Sequence, residues 1–228
     1  MRNRFTLAAV LAAVLALTAV PATAAGAATT PAGTAGKSCG AVRLSGSLPA
    51  PPAGMTVRQE VTIGADCTPR FGEVRLVPAA VPDAGAAGAL AAPASGTEHQ
   101  VKSWNEMFDC CNIRMTGVYS TSRWTTDGGR ITSAATTVTQ GWNREPWNAG
   151  WSLKSASKET DCLADCAVSH SRAHAEFTYK GIFDVSGNVY ANSHDSYVDL
   201  NADGTATCRF DVQLRHSFIG WNWQRGCS

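Results

Sequence analysis

His174 is the side chain of this sequence best placed to move a proton. The strand pairing inferred below sets it beside Asp199, with His170 and Glu176 nearby, and an imidazole held by a carboxylate can act as a general base. The same residues also fit a solvated cross-strand ion pair, which does little for stability. No His-Glu-x-x-His helix accompanies them. A metal site comes to mind because Cys162, Cys166, His170 and His174 fall at four-residue steps. On one helix the outer two would stand about 18 Å apart, too far to share an ion. We therefore expect neither a metal nor another cofactor.

Aromatic side chains offer a second kind of chemistry. Trp142, Trp147 and Trp151 crowd one stretch rich in Gly, Asn and Pro, and a second Gly-Trp-Asn leads to Trp221, Trp223 and Arg225. Rings in such loops suit a displayed surface that stacks on sugars or anchors a protein partner. Their competing role is to close the end of a β-sandwich and fill its core, since tryptophan is usually largely buried.

These groups lie in a chain that opens like an exported protein. Arg2 and Arg4 precede an apolar run from Leu7 to Val20, and Ala22-Thr23-Ala24 supplies a cleavage site, so residues 1–24 are expected to be a signal peptide. Removing its two arginines leaves 17 basic and 18 acidic residues. A net charge near −1 argues against nucleic acid or an anionic membrane surface as the main partner. No later apolar stretch is long enough to span a bilayer. The expected location is secreted and extracellular, and eight cysteines there imply disulfides.

Domain organisation follows from composition. Residues 25–37 form a polar tail, 38–77 a small β module closed by Cys39–Cys67, 78–97 an Ala/Gly/Pro-rich linker, and 98–228 the main β domain. That last segment holds all seven tryptophans and six of the cysteines. The preferred pairing joins Cys208 to Cys227 and crosses Cys110 and Cys111 to Cys162 and Cys166, because adjacent strand residues point to opposite sides. The rival set closes Cys162–Cys166 locally and leaves a vicinal, strained Cys110–Cys111 bond.

Alternation supplies the strands. Val57, Gln59, Val61 and Ile63 mark one, Val42 and Leu44 another, Val74 and Leu76 a third, and Asp127-Gly128-Gly129 joins two more in a hairpin. Ala175, Phe177, Tyr179, Phe183 and Val185 share one face of a strand, as do Cys208, Phe210, Val212, Leu214, His216 and Phe218 of another. A two-residue turn at Ser186-Gly187 would set Tyr179 opposite His194, bring Glu176, Tyr197 and Arg209 together, and place His174 beside Asp199. The Asn201–Gly204 turn would set His194 opposite Val212 and Asp195 opposite Asp211. The whole reads as mainly β, an antiparallel sandwich or flattened barrel of about seven strands in the main domain, with one helical turn near Thr160–Ala167.

The stretches Phe108-Asp-Cys-Cys-Asn112, His170-Ser-Arg-Ala-His-Ala-Glu-Phe177 and Gly220-Trp-Asn-Trp223 resemble those of small exported actinobacterial proteins of uncharacterised function. The resemblance covers residues 98–228 and implies export and a compact disulfide fold, with no activity to carry over. Three functions are compatible with the residues. The first is a secreted non-catalytic binding protein using Trp142, Trp147, Trp151, Trp221 and Trp223 on a carbohydrate or protein ligand. The second is a secreted hydrolase made as a proenzyme, with residues 25–97 as propeptide and His174/Asp199 at its site. The third is an inhibitor or subunit of an extracellular complex.

Overall fold

The computed structural model describes residues 37–79, 96–143, 150–181 and 184–228. Among them lie twelve strands and no helix: β1 (Ser38–Pro49), β2 (Met55–Ile63), β3 (Pro69–Phe71), β4 (Arg75–Pro78), β5 (Thr97–Phe108), β6 (Arg114–Asp127), β7 (Arg130–Trp142), β8 (Gly150–Thr160), β9 (Val168–Lys180), β10 (Ala191–Asn201), β11 (Ala206–Phe218) and β12 (Asn222–Cys227). Every pairing between these strands is antiparallel. Sheet A runs β1-β11-β10-β9-β8, and sheet B runs β3-β2-β12-β5-β6-β7 with β4 also on β2. The signal-peptide region, most of the tail and linker, Phe183 and Trp147 lie outside the described residues.

Period-two patterning decides which face of each strand is buried. Ala173, Ala175 and Phe177 of β9, Val198 and Leu200 of β10, and Phe210, Val212 and Leu214 of β11 line the inner face of sheet A. Val57, Val61 and Ile63 of β2, Met107 of β5, Val118 and Trp124 of β6, and Trp223 of β12 meet them from sheet B. Each large ring so buried stabilises the fold by roughly 1.5–3 kcal/mol.

A hydrogen-bonded polar seam crosses this core, with Asn192 Oδ1 its one atom left without a partner among the described residues. His194 Nδ1 donates to Asn105 Oδ1 at 3.1 Å, which also takes the Trp223 indole N–H at 2.5 Å. That fixes the tautomer, so His194 Nε2 accepts from the Thr116 hydroxyl at 2.8 Å, and Asn192 donates to the same Thr116 oxygen. Ser122, Thr136 and Ser171 chain their hydroxyls across the sheets at 2.8 and 3.0 Å. Inward-facing His194 was expected from parity, but its partners are these groups and the edge-on ring of Phe177, not Tyr179.

Disulfides staple the two sheets. Cys39–Cys67 links β1 of sheet A to the β2–β3 turn of sheet B, and Cys208–Cys227 joins β11 to β12. Both were expected. The remaining pairing is corrected: Cys162 bonds Cys166, and Cys110 and Cys111 are thiols. The local loop is long enough to close on itself, and there is no helical turn in it. Instead it covers the start of edge strand β7, with Ile131 N–H bonded to Cys166 O and Arg130 paired with Asp165.

Two other expectations change. Residues 38–77 are no separate module, because β1 completes sheet A while β2 to β4 complete sheet B within one compact unit spanning 35–228. The β10–β11 register is as inferred, His194 facing Val212 and Asp195 facing Asp211. The β9–β10 register differs by four residues, with His194 opposite Ala175 and Phe177 opposite Asn192. The cause is Asp184, whose carboxylate collects the N–H groups of Gly187, Val189 and Tyr190 and the Ser186 hydroxyl. Burial pushes its carboxyl up, yet those donors outweigh burial and hold it well below the usual carboxylate range. The turn they build is longer than the two-residue loop the glycine suggests.

Candidate functional site

The four-residue shift reassigns the expected acid–base pair. Asp199 lies opposite His170, and His170 Nδ1 donates to it at 2.7 Å. His174 lies opposite Asp195 and donates to it at 2.9 Å, while Arg172 donates Nε and Nη2 to the same oxygen at 2.9 and 2.8 Å. His174 and Asp199 are thus not partners. Glu176 is paired with Lys154 at 3.1 Å and stands 3.9 Å from His174. Tyr197 has Arg209 and Arg172 over its ring, at 3.8 and 5.7 Å, where Glu176 was expected. Asp195 and Asp211 do face each other; Arg172 neutralises the first, which His174 also hydrogen-bonds, and Arg209 stands 3.7 Å from the second. The His170 imidazole is raised above its ordinary value, chiefly by its bond to Asp199, which favours a cation over a base.

Most of the expected tryptophan surface is core. Trp223 is fully buried, Trp221 packs on Phe218 at 5.4 Å, and Trp151 meets Tyr179 edge-on at 5.9 Å. Trp142 is half-buried and faces Phe177 at 6.3 Å. The second Gly-Trp-Asn is the turn into β12, and its rings are buried, with Trp221 and Trp223 both in the core. Display is therefore corrected for Trp151, Trp221 and Trp223.

A serine–histidine contact passes unseen in the sequence reading. Ser38 Oγ and His216 Nε2 share a hydrogen bond at 2.6 Å, and Gly36-Lys37-Ser38-Cys39-Gly40 has Gly-x-Ser-x-Gly spacing. Ser38 opens an edge strand, whereas a nucleophile elbow needs a strand-to-helix turn. His216 meets the rings of Tyr190 and Phe218 edge-on, and among the described residues no carboxylate hydrogen-bonds it.

The residue that most resembles a ligand platform is Trp104. It faces outward from β5, half-buried, and its indole packs over Gly226 of β12: a Cβ built at Gly226 would meet ring atoms at 1.8 to 2.4 Å. Only glycine leaves room for the ring there. Trp104 forms a wall of two concavities. The larger, about 1080 Å³, also borders Pro51, Met55, His99 and Trp124. The smaller, about 660 Å³, borders Arg58, Glu60, Phe71, Glu106 and Gln224. Phe71 is exposed and supplies an apolar wall.

Glu106 shares the outer face of β5 with Trp104 and is held firmly. The Tyr119 hydroxyl donates to Glu106 Oε1, and Arg114 donates to Tyr119 at 2.7 Å and to the same Glu106 oxygen at 3.4 Å. Burial, then the bond to Glu106, push the Tyr119 phenol far up, so it stays a donor. Behind the larger concavity His99 stacks on Trp124 at 5.0 Å and bonds Thr126. The sequence reading singled out neither Trp104 nor Glu106, because the signal is the pairing of Trp104 with a glycine 122 residues away.

Among the described residues, no group of three or more His, Cys, Asp or Glu is placed to hold a metal ion, and no helix is long and apolar enough to cross a membrane. Comparison with protein families, curated proteins and solved structures gives no match to this chain.

Proposed function

We propose that the protein is a secreted, non-catalytic carbohydrate-binding protein that contacts its ligand through the outer face of sheet B around Trp104. The observation that carries this reading is the indole packed over Gly226, lining two concavities. A rigid apolar ring that lines two hollows suits the face of a sugar within an extended chain. Polar side chains from three strands surround it: Arg58 and Glu60 from β2, Glu106 from β5 and Gln224 from β12. They provide donors and acceptors for hydroxyl groups. Glu106 is held at Oε1 by Tyr119 and Arg114, leaving Oε2 for a ligand hydroxyl. The leader-like residues 1–24 and the three disulfides support export. The separation of His174 from Asp199 removes the basis of the hydrolase reading.

The test is retention of the purified protein on insoluble cellulose, chitin and xylan. Wild type should be retained on at least one, and W104A and E106A should each lose retention while their circular dichroism matches wild type. A wild type that passes through all three, or a folded W104A that is retained equally, would overturn the reading.

A further inference from the structure

Cys110 and Cys111 stand apart from the other six cysteines, which are cross-linked in pairs. Both thiols are exposed, and their sulfurs lie 3.7 Å apart. The turn that carries them, between β5 and β6, is built by Asp109: its Oδ1 accepts the N–H groups of Cys111 at 2.9 Å and Ile113 at 2.8 Å. The Asn112 N–H returns to Asp109 O at 3.2 Å, with Asn112 at a φ of 60°. Backbone polar groups are thus satisfied within the turn, and the sulfurs are left to each other. Gly220 backs them closely, since a Cβ there would lie 3.4 Å from Cys110 Cβ.

We propose that Cys110 and Cys111 are a reversible dithiol–disulfide couple, closed by a low-molecular-weight disulfide such as glutathione disulfide. One protein thiolate attacks a sulfur of the oxidant and expels one thiolate, forming a mixed disulfide. The neighbouring cysteine then attacks the protein sulfur of that bond and expels the second. Two electrons pass from the cysteine pair to the oxidant, and the two protons leave with its two released thiols. Both sulfurs are exposed, so either cysteine can make the opening attack and the other closes the ring. Adjacent Cα atoms lie about 3.8 Å apart across a trans peptide, short of the roughly 4.4–6.8 Å usual for disulfides. The closed ring is therefore strained and readily reduced, unlike the three bonds that join longer separations.

The experiment equilibrates the whole protein in glutathione buffers from fully reduced to fully oxidised, quenches with acid, alkylates free thiols and weighs the intact chain. Both alkylation sites should disappear together, with loss of two hydrogens and no adduct, while the three other disulfides stay closed throughout. C110S, which keeps one thiol and lacks the neighbour that would resolve the mixed disulfide, should stop at a glutathione adduct on Cys111. Two thiols still alkylated at the oxidised limit, glutathione adducts on the wild type, covalent dimers, or an adduct-free C110S would each overturn the proposal.

Discussion

The Arg225 guanidinium occupies the space that a side chain at Gly46 would fill: a Cβ there would lie 2.1 Å from Nη1 and 2.6 Å from Cζ. This places a cation, 3% exposed, where β12 of one sheet approaches β1 of the other. Its Nη2 donates to Gln59 Oε1 at 2.5 Å and its plane sits 4.5 Å from the Trp223 ring, but Nε and Nη1 have no hydrogen-bond partner. Burial lowers its pKa to about 10, so it remains charged at neutral pH without an acid to pair with.

Removing that charge should therefore cost nothing. R225M keeps the stem volume and drops the desolvated cation, and we expect stability unchanged or raised by up to about 2 kcal/mol in urea unfolding. A drop of more than about 1 kcal/mol would mean that the Gln59 bond and the ring contact outweigh desolvation.

Gly46 and Arg225 should be coupled. G46A forces the guanidinium out of its place and is expected to cost about 1–3 kcal/mol through overpacking. In an R225A background the same substitution should be nearly silent. Additive costs in the double-mutant cycle would show that the backbone at Gly46, not the guanidinium, sets the penalty.

Acid should destabilise the fold through His194. Its fully buried imidazole has a pKa lowered to about 3 from 6.5, mainly by burial. The unfolded chain thus binds one more proton between these values. The associated stability is complete above pH 6.5 and is lost as pH falls towards 3, by about 1.4 kcal/mol per unit. Urea unfolding of wild type and H194Q between pH 7 and pH 4.5 checks this: the variant should show a flatter profile, and parallel profiles would place the proton elsewhere.

The disulfides should differ in worth. Cys208 and Cys227 are 19 residues apart, whereas Cys162 and Cys166 are 4 apart. Chain entropy predicts losses of about 3 and about 2 kcal/mol for the corresponding double alanine variants. The first should fall further still, because both its cysteines are fully buried in the core. Equal unfolding midpoints for the two variants would contradict that order.

Much of the fold was legible because alternation is a local signal. The strands β9, β10 and β11 carry it cleanly, and the glycine turn at Asn201–Gly204 set the β10–β11 register correctly. The β9–β10 offset was not legible, since one aspartate gathering distant N–H groups changes the loop without changing the alternation. Strands β8 and β12 escaped notice for opposite reasons. β8 is an edge strand largely exposed, and β12 is central and buried on nearly every residue, so neither alternates. Trp104 carries no local signal of its own; its distinction is Gly226 beneath the ring. What made it conspicuous is a long-range pairing, which no window of sequence contains.

The position of β12 between β2 and β5 also governs the order of assembly. Its six residues form the hinge about which sheet B is joined, so β2 and β5 have no neighbour to share until it arrives. A chain emerging amino end first must keep its early strands apart while the rest follows, and such far-flung pairing makes for slow maturation. A chain ending short of Asn222 would leave the facing edges of β2 and β5 without the strand that joins them.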